Sequence, residues 1–271
     1  MVYEEWMALV FISPAPVQLA PFAKVNNPTM FARSILRTSA FRAPVRFVSF
    51  DAAAQPRIRI GSLAPDFKAP STAGEINFHK YLGDSWGILF SHPADFTPVC
   101  TTELGAFSKL QGEFDARNVK LIGLSAESVQ SHAEWVKDIE EISLGGKKFT
   151  FPIVGDESKE VAYKYDMVDE EGFKNLQAGQ PIFTIRSVFI IDPKKTVRLI
   201  MTYPASCGRN TAEVLRVVEA LQKADAKGIA TGVNWTEGDD VIIPPSVSNE
   251  AAKEKFGDFK EVKPYLRFTK A

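Results

Sequence analysis

The chemical capacity of this chain is concentrated in one run, Ser91-His92-Pro93-Ala94-Asp95-Phe96-Thr97-Pro98-Val99-Cys100-Thr101-Thr102-Glu103-Leu104. It leaves an apolar stretch, Gly87-Ile88-Leu89-Phe90, that reads as a buried strand, passes two prolines and enters a segment that reads as a helix. A cysteine at a helix start faces N–H groups that lack intrahelical partners and the positive end of the helix dipole. Both favour the thiolate over the thiol. Thr97 puts a hydroxyl near the sulfur, and His92 lies just upstream. Glu103, one turn after Cys100, would repel a thiolate if left unpaired. It is therefore expected to hold an arginine, and Arg186, at the start of a later strand, is the candidate. A thiolate between a hydroxyl and a guanidinium, with no orienting His-Asn or His-Asp partner, is poorly equipped for peptide hydrolysis. It suits in-line attack on a peroxide O–O bond, which leaves a sulfenic acid on the sulfur.

The elements that must position this run follow from hydrophobic period. Gly61–Phe67 reads as an entry loop and Thr72–Phe78 as a short hairpin. Strands are expected at Trp86–Ser91, Val119–Ser125, around Pro152–Asp156, at Ser187–Asp192 and at Val197–Tyr203, the last two paired through the turn Pro193-Lys194-Lys195. Leu104, Phe107, Leu110 and Phe114 form an apolar stripe on a helix expected over Val99–Arg117, and further helices are expected at Ser131–Glu141 and Glu157–Tyr165. Asp169–Gln180 reads as a polar loop. Asn210 with Glu213 opens a capping box for a helix over Thr211–Ala226. Strands alternating with helices indicate an α/β layered fold on a mixed sheet. Beyond Gly228 the chain reads as a loop-rich tail with little core of its own, which must pack on its own domain or on a second subunit.

Within this frame the motifs resemble a known family. Asp95-Phe96-Thr97-Pro98-Val99-Cys100-Thr101-Thr102-Glu103 looks like the peroxidatic motif of the peroxiredoxins. Tyr203-Pro204-Ala205-Ser206-Cys207-Gly208-Arg209-Asn210 and the tail through Tyr265-Leu266-Arg267 resemble the one-cysteine, peroxiredoxin-6-like branch, in particular the fungal mitochondrial enzymes. The resemblance covers about Arg57 to Thr269. It implies a thioredoxin-like fold over residues 55–227 and a C-terminal dimerisation extension over 228–271. It also implies thiol-dependent reduction of hydrogen peroxide and organic, including lipid, hydroperoxides, in antioxidant defence. Cys100 carries over as the peroxidatic cysteine, completed by Thr97 and Arg186. Pro93 would shield the thiolate, and His92 and Arg209 would line the pocket. The tail from Gly228 to Ala271 has no cysteine to resolve the sulfenic acid, so an external thiol is implied, from a glutathione/glutaredoxin or thioredoxin system, and no cofactor.

Further features bound the reading. Cys207 is expected to pack as a small apolar side chain, its closeness to Arg209 leaving a mixed-disulfide role open. Gly83-Asp84-Ser85-Trp86-Gly87 matches a nucleophile-elbow pattern, with His79 upstream, and in the resembled family such a serine and histidine are assigned to a phospholipase activity. Here Asp192 is displaced from the third position and Ser85 precedes its strand, so Ser85 reads as a turn residue. A redox-sensing chaperone or lipid-binding module is the alternative to an enzyme. The net charge of −1 offers no electrostatic reason for a nucleic-acid partner, and three histidines with two distant cysteines make no metal-ligand spacing. No apolar run is long enough to span a membrane. Between Trp6 and Phe50 there is no Asp or Glu, while Lys24, Arg33, Arg37, Arg42 and Arg46 recur. Residues 1–54 therefore read as a mitochondrial transit leader, directing the protein to the matrix or intermembrane space, with Arg46 near a cleavage point and Met30 a second candidate start; the alternative is a basic tail of no targeting value on a cytoplasmic protein.

Overall fold

The computed structural model describes residues 50–270; most of the expected leader lies outside them. Phe50 packs edge-on against Tyr163, and the Gln55 amide donates to the Tyr163 carbonyl.

The chain then forms, in order, β1 (Lys68–Ser71), β2 (Gly74–Asn77), α1 (Phe78–Leu82), β3 (Trp86–Ser91), α2 (Pro98–Lys109), α3 (Gln111–Ala116), β4 (Val119–Ser125), α4 (Val129–Leu144), β5 (Ile153–Gly155), α5 (Glu160–Lys164), α6 (Glu170–Gln177), β6 (Arg186–Ile191), β7 (Val197–Tyr203) and α7 (Thr211–Lys227). Seven strands make one sheet in the order β2-β1-β5-β4-β3-β6-β7. β3 lies parallel to β4 and antiparallel to β6, with Ile88 opposite both Leu121 and Ile190. Alternation along β3 sends Ile88 and Phe90 to one face and Leu89 to the other. The first face is covered by α2, α4 and α7 through Leu104, Phe107, Trp135, Ile139, Val214 and Val218. The second is covered by α1 and α5 through Phe78, Leu82, Val161 and Ala162. Helices on both faces of a mixed sheet are the thioredoxin-like arrangement that the resemblance implies.

Several elements differ from the sequence expectation. Thr72-Ala73 is the turn of the first hairpin, so its strands begin at Lys68 and Phe78 starts a helix. The helix expected over Val99–Arg117 is interrupted at Leu110, whose N–H reaches both Ala106 O and Phe107 O and tightens the backbone there. Ser128 accepts a hydrogen bond from Ser131 N and starts α4 at Val129, and Gly145 ends it in the left-handed conformation at φ 60°. Asp169–Gln180 is not a loop. The Asp169 side chain accepts from Gly172 N at 2.7 Å, and α6 buries Leu176 with Phe173 packed beside it. Asn210 caps α7 at Glu213 N as expected.

The tail also builds more than was expected. β8 (Ala230–Thr231), β9 (Val241–Ile242), α8 (Asn249–Phe256), β10 (Lys260–Lys263) and β11 (Leu266–Thr269) give a four-stranded sheet, β10-β11-β9-β8. Trp235, 2% exposed, sits between Ile229 and Val241 and packs on Ala220 and Ala224 of α7. Arg267 donates to Asn249 Oδ1 and to the Pro244 and Val247 carbonyls. The extension thus has a small core of its own, closed by the last turns of α7. Among the described residues no helix is long and apolar enough to cross a membrane.

Candidate active site

Cys100 occupies the third position of α2, because Pro98 is its first residue and Thr97 its N-cap. Proline suits that first position, where the missing N–H would have no partner. Cys100 is fully buried, yet its sulfur lies 3.3 Å from Nη1 of Arg186. Arg186 opens β6, and its Nε and Nη2 both donate to the Ala205 carbonyl, at 2.9 and 2.8 Å. Nη1 also donates to Glu103 Oε2 at 2.6 Å. The expectation that Glu103 would hold an arginine is met by a second one as well. Arg209 donates to Glu103 from its backbone N (2.6 Å), its Nε (3.0 Å) and its Nη2 (2.8 Å). The same guanidinium lies over the rings of Phe90 and Phe107, 5.1 and 5.7 Å from their centroids. Burial pushes the Glu103 carboxyl up, but the hydrogen bonds and charge of Arg209, with the charge of Arg186, outweigh it and hold the group below the ordinary carboxylate range. Two guanidinium charges against one carboxylate leave a positive excess beside the sulfur.

The loop before α2 is fixed from the other side. The Thr97 hydroxyl donates to the Ala94 carbonyl at 2.8 Å, leaving oxygen lone pairs to accept a further bond. Pro93, within that loop, is buried. His92 is also buried, but its ring engages Asp95 (Nε2 to Oδ1, 2.8 Å) and lies against Trp135. Asp95 is thus the residue on which the loop converges, and the sequence reading of the motif assigned it no role. Its only signal was a carboxylate between two buried histidines, which a linear chain does not display.

The remaining candidates separate. Ser85 donates to Asn118 Oδ1 at 2.7 Å, and His79 Nε2 lies 2.8 Å from the Ala64 carbonyl. Asp192 accepts from Thr196 N and from Arg198. Among the described residues no hydrogen bond joins Ser85, His79 and Asp192, so the elbow pattern does not assemble into a hydrolase triad, in keeping with Ser85 as a turn residue. Cys207 does not pack as expected. The turn from Pro204 O to Cys207 N carries its side chain outward, and it is exposed.

Comparison with known proteins agrees with this geometry. The AhpC/TSA family matches residues 60–200, and the C-terminal domain of 1-Cys peroxiredoxin matches residues 220–258. The chain is 62% identical over 229 residues to "Peroxiredoxin PRX1, mitochondrial" of Saccharomyces cerevisiae, covering 84% of this chain and 87% of that one. It is 48% identical over 218 residues to human "Peroxiredoxin-6", covering 78% and 96%. Among solved structures, a yeast mitochondrial 1-Cys peroxiredoxin, described for its thiol resolving mechanism via glutathione/thioredoxin systems, superposes with a TM-score of 0.73 at 64% identity, covering 79% of this chain and 100% of that one. A mutant of the Peroxiredoxin 6 of Arenicola marina gives 0.73 at 44% identity, covering 79% and 98%. The matches span both the layered domain and the extension, and they place the chain in a family of thiol peroxidases: it is a one-cysteine peroxiredoxin.

Proposed function

We propose that Cys100 is the peroxidatic sulfur, that Thr97 and Arg186 complete the reacting site, and that Glu103 and Arg209 hold Arg186 in place. The observation that carries this reading is the 3.3 Å contact between Cys100 Sγ and Arg186 Nη1 in a buried site. The thiolate attacks one peroxide oxygen along the O–O axis. A new S–O bond forms as the O–O bond breaks, and the departing alkoxide or hydroxide takes a proton. Arg186 donates to the oxygens as charge moves onto them, and Thr97 Oγ1 accepts from the peroxide hydroxyl. An external thiol then attacks the sulfenic sulfur and releases water. A second thiol frees Cys100 and leaves as a disulfide, so that one hydroperoxide and two thiols give one alcohol, one water and one disulfide.

The yeast relative's glutathione and thioredoxin systems support reductants of that kind here. Its mitochondrial naming, together with the acid-free, arginine-bearing stretch between Trp6 and Phe50, supports a mitochondrial site of action. The chain works as a homodimer. Support for that comes from β7, whose outer edge is last in the sheet order, and from Tyr265 and Val233, left 68% and 92% exposed on the extension. The test is direct: Cys100→Ser abolishes peroxide consumption while Cys207→Ser leaves the first turnover intact. Full peroxidase rate in Cys100→Ser protein defeats the assignment.

A further inference from the structure

His132, in the first turn of α4, is fully buried, and both of its ring nitrogens are engaged. Nε2 lies 3.1 Å from the Val154 carbonyl, which can only accept, so Nε2 carries hydrogen. Nδ1 lies 2.7 Å from Asp95 Oδ2, an oxygen that already accepts from Ser131 Oγ at 2.7 Å. Asp95 Oδ1 accepts from His92 Nε2. An ionised carboxylate accommodates these three donors together. The contact with Nδ1 needs one shared proton, and a carboxylate that also accepts from Ser131 and His92 leaves that proton on the nitrogen. Burial pushes the Asp95 carboxyl up, but its bonds to His132 and His92 prevail and hold it well below the usual carboxylate range. His92 is the neutral partner. Burial lowers its proton affinity, as do the charges of His132 and Arg209, against the raising effect of Asp95, and its Nδ1 has no hydrogen-bond partner. These three residues have the donor types of a metal site. Ligands about a tetrahedral zinc stand roughly 3.3 Å apart, however, so contacts of 2.7 and 2.8 Å are those of shared protons.

The grip extends to the backbone. Glu127, just before α4, accepts the Asp95 N–H at 2.5 Å, and burial with the neighbouring Asp95 charge raises the Glu127 carboxyl. The next residue, Phe96, is held at φ 53°, a conformation that costs an aromatic residue on the order of 1 kcal/mol and persists only where its surroundings over-determine it. Asp95 on one side, and the Thr97 bond to Ala94 on the other, supply that constraint.

We propose that the start of α4 is a positioning device for the peroxidase reaction: His132, as an imidazolium, grips Asp95 together with Ser131 and Glu127, and so fixes the loop that presents Thr97 and Cys100. This rests on Cys100 as the reacting sulfur. The direct test uses the full chain with ¹⁵N-labelled histidine at pH 7. Both His132 nitrogens show one-bond proton couplings; a bare ring nitrogen on His132 overturns the proposal. A kinetic arm separates positioning from folding by following oxidation and thiol reduction individually. His132→Gln keeps a donor toward Val154 but loses the one toward Asp95, and it slows oxidation by peroxide about tenfold or more. His132→Asn keeps the donor toward Asp95 and recovers most of that rate, and neither variant slows reduction of the sulfenic acid by thiol. Equal oxidation loss in the two variants, parity with the native rate, or a matching loss in the reduction step each refute the device. Cys100→Ser protein keeps the imidazolium signals. Retained peroxide consumption in that protein removes the reading of Cys100, whereas the bare nitrogen removes the grip alone.

Discussion

Replacing Glu103 with glutamine perturbs the site at its electrostatic centre. The carboxylate receives four hydrogen bonds from two arginines, at 2.6 to 3.0 Å, with 4% of the residue exposed. An amide keeps the shape but removes the negative charge, and its NH₂ must face a guanidinium N–H. Two buried cations are then left without a counter-charge. Breaking a buried pair by removing one partner costs about 3–5 kcal/mol. At roughly 2–4 °C per kcal/mol for a domain of this size, Tm falls by roughly 6–20 °C. The kinetic consequence separates two roles of Arg186. If its charge alone mattered, losing the competing carboxylate would strengthen its hold on the thiolate and speed oxidation. If its placement matters, Nη1 loses the bond that aims it at the sulfur, and oxidation slows on the order of 10²-fold. The account predicts the second. Calorimetry at pH 7 and stopped-flow oxidation by hydrogen peroxide measure the two effects. A Tm within 2 °C of native, or an oxidation rate equal to or above native, refutes the reasoning.

Three further outcomes follow from other parts of the molecule. Burial raises Asp156 from 3.8 to about 6 in the folded state. Its ionisation therefore opposes folding, and the stability present below its unfolded pKa is lost as pH rises through about 6. Asp156→Asn, which keeps an acceptor for Ala162 N, gains on the order of 3 kcal/mol relative to native between pH 4 and 7.5 in urea titrations; a gain independent of pH contradicts this. Trp235→Ala empties the centre of the extension's cluster and costs about 3–5 kcal/mol. Limited proteolysis after α7 then cuts the extension while the layered domain survives, and an intact extension is the opposing result. Ser85→Ala loses its bond to Asn118 and about 1 kcal/mol of stability, with peroxidase rate unchanged. Labelling of Ser85 by a fluorophosphonate in the native chain would restore the hydrolase reading.

Much of the site was legible in the sequence because its chemistry is local. Proline, cysteine and an apolar stripe within one stretch announce a thiol at a helix start. Arg186, far along the chain, was reachable because Glu103 beside a thiolate demands a counter-charge. The second partner, Arg209, appeared only as a pocket residue, since a linear chain does not show that one carboxylate serves two guanidiniums. The Asp95–His132 contact was not legible at all. Its partners sit on the loop after β3 and on α4, and nothing in their spacing distinguishes His132 from a histidine that merely packs near Trp135. In the fold, the strands of the central sheet were readable from apolar runs. α6 was not, because its polar residues hide the three-residue spacing of Phe173 and Leu176 behind the Asp169 cap. The tail's small core escaped notice because Ile229, Trp235 and Val241 stand six residues apart, a spacing of neither helix nor strand, and pairing across β8, β9 and β11 is what brings them together.

The central claim is that one sulfur, Cys100 beside Arg186, meets the peroxide. Its most direct test exposes the full chain to less than one equivalent of hydrogen peroxide with a sulfenic-acid trap present, then maps the adduct by peptide mass spectrometry. The account predicts the adduct on the peptide containing Cys100, none on that containing Cys207, and loss of the Cys100 adduct in Arg186→Ala protein under the same brief exposure. An adduct on Cys207 alone, or undiminished trapping at Cys100 without Arg186, contradicts it.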